Sequence, residues 1–180
     1  MQAPILAVGL LLAAVSAPAM PADPVDRLFA ALKQAGSAEA AKPIEDEISA
    51  VFLKSGSASV DLLMTRASAA LGAGDKVTAA KLLDAVTDIA PFYAEGWHHR
   101  AELEAASNDD ADAMVGLGRV ITLNPREFEA MQELGSMLES YGNKPGALKM
   151  YRRALALDPQ LEGAARRVRE LVRAVEGQGI

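Results

Sequence analysis

From residue 60 onward, apolar and small side chains recur with a helical rhythm, and the rhythm itself recurs. Leu83, Val86 and Ile89 follow Ala79 at spacings of four, three and three residues. Leu117, Val120 and Leu123 follow Ala113, and Tyr151, Ala154 and Leu157 follow Ala147, at the same spacings. Such offsets keep the side chains on one face of a helix. Each run stops two residues before a proline, at Pro91, Pro125 and Pro159. Proline has no backbone N–H and ends a helix. The three prolines stand 34 residues apart, so they are beats of one repeat.

A second helix precedes each of these. Leu63, Trp97 and Met131 share a register position, and Ala67, Ala101 and Gly135 share another that is always small. Between the paired helices lie Gly74-Asp75, Asn108-Asp109 and Gly142-Asn143. Gly and Asn take the left-handed backbone that closes a helix, and Asp and Asn cap the start of the next. Pro145 falls in a first helical turn, where its missing N–H costs little.

At these residues the chain resembles the tetratricopeptide repeat family, whose units are helix–turn–helix pairs of this length with a Leu-Gly pair, an Ala, an aromatic and a final Pro. Unit 128–161 carries Leu134-Gly135, Ala147, Tyr151, Ala154 and Pro159 in register. Units 94–127 and 60–93 keep Ala113 with Pro125 and Ala79 with Pro91, but hold Arg100 and Arg66 where the family prefers Leu. The resemblance implies an all-α fold, a right-handed α-solenoid of helix–turn–helix repeats over 60–161. Residues 162–176 are amphipathic and Arg-rich on one side, as expected of a C-terminal capping helix within 162–180. Residues 23–59 read as a helical hairpin, with helices at 24–35 and 43–54, serving as a degenerate repeat or a cap. The stretch 54–59, KSGSAS, reads as a joint.

The first 22 residues read differently. An apolar run over 5–15 precedes Ala17-Pro18-Ala19, the pattern of a cleaved secretory signal peptide, with cleavage after Ala19 or Ala22. No Lys or Arg precedes the run, so an uncleaved anchor or a buried helix stays open. Export predicts a periplasmic or secreted protein with no membrane span after signal removal. The chain of 180 residues has no cysteine, which excludes disulfides, thiolate metal sites and a lipid-modified Cys. A net charge of −6 argues against nucleic acid as a partner. The charge is uneven: residues 91–143 carry a net −7, and 144–180 a net +4. Aromatics make up only 4% of the chain, which favours helices over a β-sandwich.

No nucleophile constellation or phosphate loop is present, so no catalytic residue and no cofactor are expected. The methionines sit mostly at apolar repeat positions and Trp97 at a packing position, so both read as core. The family resemblance implies a concave groove lined by the first helix of each unit. Its positions fall here on Asp61, Met64 and Ser68, on Glu95, His98 and Glu102, on Glu129, Gln132 and Ser136, and on Arg166, Glu170 and Arg173 of the terminal helix. The Lys, Arg and Asn of the family's clamp for a peptide carboxylate are missing. The resemblance therefore implies a non-catalytic scaffold for a basic or polar protein or peptide partner. The alternative is a metal-binding or enzymatic protein using Glu95, His98 and Glu102, which share a helical face at i, i+3 and i+7.

Overall fold

A computed structural model describes residues 23–175 and Gly177. The expected signal peptide lies outside the described residues. Among these, the order is α1 (Pro24–Leu32), α2 (Ala38–Phe52), α3 (Ala58–Gly72), α4 (Lys76–Ile89), α5 (Ala94–Ala105), α6 (Asp110–Leu123), α7 (Phe128–Ser140), α8 (Lys144–Leu157) and α9 (Ala164–Val175), with no strand. None of these helices is long and apolar enough to cross a membrane.

The repeat follows from local chemistry. Gly74, Asn108 and Gly142 take φ of 76°, 65° and 78°, the left-handed turn that closes α3, α5 and α7. Asp75 and Asn143 then cap α4 and α8 by accepting from the N–H of Thr78 and Gly146. The helices α4, α6 and α8 all end two residues before their proline. The closest packing is within the pairs α3·α4, α5·α6 and α7·α8, with α4·α5 and α6·α7 joining successive units and α9 covering α8. Ala79, Leu83 and Val86, Ala113, Leu117 and Val120, and Ala147, Tyr151 and Ala154 are all buried; the first three pack with Val60 and Met64 in one cluster, and Leu117, Val120, Ala147, Tyr151 and Ala154 in a second, larger one. This is an all-α helical repeat.

The N-terminal hairpin departs from that order. Its second helix starts at Ala38, five residues ahead of the expected start at Pro43. Ser37 caps it by accepting from the N–H of Ala40, and Pro43 is carried inside the helix. Nor does α2 stack on α3 as one unit stacks on the next. Instead the hairpin lies across the loops that follow each unit. Tyr93 donates its hydroxyl to the carbonyl of Leu53 at 2.7 Å. Arg126 bonds the carboxylate of Asp26 at 2.6 Å and lies 4.0 Å over the ring of Phe29. Phe29 meets Phe128 edge-on, with ring centres 6.2 Å apart. Gln160 donates to the carbonyl of Ala35 at 3.0 Å. Phe29, Leu32, Ala41 and Ile48 thereby join the same buried cluster as Phe128, Met131 and Tyr151.

Candidate partner-binding groove

The expected groove divides into a closed middle and two open ends. At one end, Asp61, Met64 and Ser68 line a cleft of about 320 Å³ with Leu53 and His99. At the other, Gln132, Ser136, Glu139, Tyr151, Arg166 and Arg167 line a cleft of about 490 Å³. Ser136 and Arg166 are exposed there. Arg167 lines this cleft as well, its guanidinium held by Glu139 and Glu170. Arg173 is exposed and lies outside the cleft.

Three of the expected groove residues are buried. Glu95 is 7% exposed, His98 4% and Met64 7%. Their helices are where the resemblance puts them. The middle of the groove is nonetheless closed, and the carboxylate of Glu129 there feels Lys42 of α2. Burial raises Glu129 above the ordinary carboxylate range.

At the centre is one imidazole among carboxylates. His98 Nε2 bonds Glu133 at 3.2 Å, and Nδ1 lies 3.8 Å from Glu95. Burial opposes a charge on His98, but the hydrogen bonds to Glu133 and Glu95 outweigh it and raise the group to about 11. Glu102 stays on the other side of His98 from Glu95 and pairs with His99 at 2.7 Å, and that hydrogen bond lowers its pKa. The face of Glu95, His98 and Glu102 expected from spacing therefore splits. Ligand atoms of Glu95, His98 and Glu127 lie within 4.8 Å of one another, and so do those of His98, Glu102 and Glu133. His98 stands with Glu95 in one group and with Glu102 in the other, and Glu127 and Glu133 complete them from the start of α7 and from α7 itself.

Sequence reasoning missed Glu127. It stands at the N-cap position of α7, without a capping hydrogen bond from its side chain, and is only 3% exposed. Burial, then the charge of Glu95, raises it to about 8. The signal was in the register: the corresponding residues of the neighbouring units are Tyr93 and Leu161, so a carboxylate stands in a nonpolar position. Trp97 was expected as core and is only half-buried. Its indole donates to the carbonyl of Pro91 at 3.1 Å, and Arg100 and Arg119 lie 5.7 and 5.9 Å from its ring.

No family model matches the chain. A TPR repeat-containing protein of Rhizobium etli is 30% identical over 162 residues, spanning 90% of this chain and 79% of that protein. The first TPR domain of Spaghetti (RPAP3), solved bound to an HSP90 peptide, is 20% identical with a TM-score of 0.59, over 65% of this chain and 93% of that one. The Yersinia enterocolitica secretion chaperone SycD, solved with a peptide of the translocator YopD, is 15% identical with a TM-score of 0.58, over 69% and 97%. The structure of MamA is 19% identical with a TM-score of 0.59, over 89% and 87%. At these identities the likeness to the solved structures is one of fold.

Proposed function

We propose, from the premise that the chain belongs to the tetratricopeptide repeat family, that it is a non-catalytic adaptor binding a polar segment of another protein. The observation that carries this reading is the open cleft between α7 and α9. It combines exposed Ser136 and Arg166 with the half-buried amide of Gln132 and the ring of Tyr151. A cleft lined mostly by polar and charged side chains offers hydrogen-bond partners to a peptide backbone and its polar side chains. Peptide complexes of Spaghetti and SycD, which share the fold, support the class of ligand. The partner lies along the open ends of the groove, because its middle is closed. The apolar start of the chain supports export, and the protein then works in the periplasm or outside the cell, in envelope assembly or the upkeep of a protein complex.

A photo-crosslinking residue placed at Ser136 in the native compartment should capture a defined partner. The same residue at Lys81, exposed on α4, should not. Arg166→Glu with Gln132→Ala should reduce capture at least tenfold without altering helical content. Equal capture from both positions, or unchanged capture in the double variant, overturns the assignment of the cleft. Mass spectrometry of the native protein tests export: a terminus at Met20 or Asp23 supports it, and an intact Met1 overturns cleavage.

A further inference from the structure

We propose that Glu95, His98 and Glu127 form a binding site for one divalent transition-metal ion of the zinc class. Three independent features converge. The first is the donor set. One imidazole and two carboxylates stand with ligand atoms within 4.8 Å of one another, all three residues buried. Donors around a tetrahedral zinc lie roughly 3.3 Å apart at bond lengths of about 2.0–2.1 Å. Small rotations of two glutamate side chains close that difference.

The second is an oxygen without a partner. Glu95 Oε1 is sealed from solvent and makes no hydrogen bond, and the whole side chain is only 9% exposed. Buried polar atoms are nearly always bonded, and an exception calls for a ligand or a role. A cation beside Glu127 supplies what this oxygen lacks.

The third is the support behind the donors. The two ring nitrogens of His98 face opposite ways. Nδ1 lies on the Glu95 side, and Nε2 meets Glu133 at 3.2 Å. A ligating histidine commonly donates its other N–H to a carboxylate, which fixes the tautomer. Asn124 likewise donates to Glu127 Oε2 at 3.3 Å and orients that carboxylate. Imidazole with carboxylate suits zinc and its neighbours; calcium and magnesium demand more oxygen ligands than this site offers. The ion would join α5 to the cap of α7, and so one repeat to the next.

The test uses the full chain stripped with a chelator and titrated calorimetrically with Zn²⁺ at pH 7.5. One ion should bind per chain, and the melting temperature should rise with free Zn²⁺, as it does when a ligand binds only the folded state. Mg²⁺ and Ca²⁺ should do neither. Glu95→Gln and Glu127→Gln should each weaken Zn²⁺ at least tenfold, and Glu133→Gln on the order of 10–100-fold. Asp46→Asn, on an exposed face of α2, should bind like the parent. Circular dichroism checks that each variant folds. If a glutamine variant does not fold, the parent with Co²⁺ still decides: visible d–d bands abolished by Zn²⁺ support the site. Lack of saturable Zn²⁺ binding by the parent overturns it. So does Zn²⁺ binding that folded Glu127→Gln retains in full, and the two carboxyls then simply share a proton.

Discussion

At the scale of single residues, packing across the repeat turns on glycines that face different neighbours. A Cβ on Gly135 would stand 3.2 Å from the ring of Tyr151. The other two units hold Ala67 and Ala101 at this position, with Leu83 and Leu117 where unit 128–161 has the larger Tyr151. Gly135→Leu should therefore lower stability by about 1–3 kcal/mol through overpacking. In Gly135→Ala the helix gain of about 1 kcal/mol should largely offset the tighter contact. Gly96 is stricter. A Cβ there would meet Val86 Cγ1 at 2.6 Å, and Val86 is fully buried between α4 and α5. Gly96→Ala should thus cost more than Gly135→Ala in thermal melts; the reverse order would show that α4 and α5 do not meet as described. Glu45 offers a different residue-scale check. Burial first, then the nearby Asp158, raises its pKa, against partial relief from Lys42. A raised carboxyl binds its proton more tightly in the folded chain. Its stabilising contribution is therefore complete below about pH 4.3, the unfolded value, and is lost as pH rises through the raised one. Glu45→Gln should accordingly raise the melting temperature relative to the parent more at pH 8 than at pH 4.5. An equal difference at both values would contradict this.

At the scale of elements, the hairpin of α1 and α2 is the part that the repeat does not explain. It is joined to α3 through residues 53–57, and its hold on the rest comes from side chains such as Phe29 and Leu32. Phe29 sits between Phe52, Phe128 and the guanidinium of Arg126. Truncating a buried Phe to Ala typically costs about 3–5 kcal/mol. Phe29→Ala should loosen the hairpin while leaving the solenoid helices formed. Limited proteolysis checks this: cleavage within 53–57 should quicken at least tenfold in the variant, and the fragment from α3 onward should resist further digestion. Arg126→Ala should act the same way more weakly, since it removes the pairing with Asp26 and the cover over Phe29. Cleavage at the parent's rate in both variants would mean that the hairpin is not held by this contact. The early start of α2 has a local cause: Ser37 provides a cap, and tertiary packing of Ala41 and Ile48 outweighs the cost of Pro43 inside the helix.

Across the whole molecule, the acidic middle is internal structure as much as surface field. Exposed groove glutamates could be reversed in charge with little effect on folding, which is what the sequence alone suggests for Glu95, Glu102 and Glu129. The structure reverses that expectation for Glu95, whose replacement by Lys would bury an ammonium beside His98. The triple variant Glu95→Lys, Glu102→Lys, Glu129→Lys should melt well below the parent, whereas Glu102→Lys alone, at an exposed position, should shift it little. Calorimetric scans of both check this, and a triple variant as stable as the parent would contradict the burial of the middle. The repeat itself was legible because its causes are local. Glycine or asparagine at 74, 108 and 142, the capping Asp75 and Asn143, and prolines every 34 residues act within a few positions of themselves. Helix, turn and unit length follow from them. The open C-terminal cleft was legible in part, through Gln132, Ser136 and Arg166. Tertiary structure alone decided where the hairpin goes, because Asp26 meets Arg126 and Ala35 meets Gln160 across a hundred residues or more with no period to announce it. It also decided which carboxylates surround His98, since Glu127 at the N-cap of α7 and Glu133 within α7 approach the imidazole of α5, and only the packing of one helix pair on another brings them there.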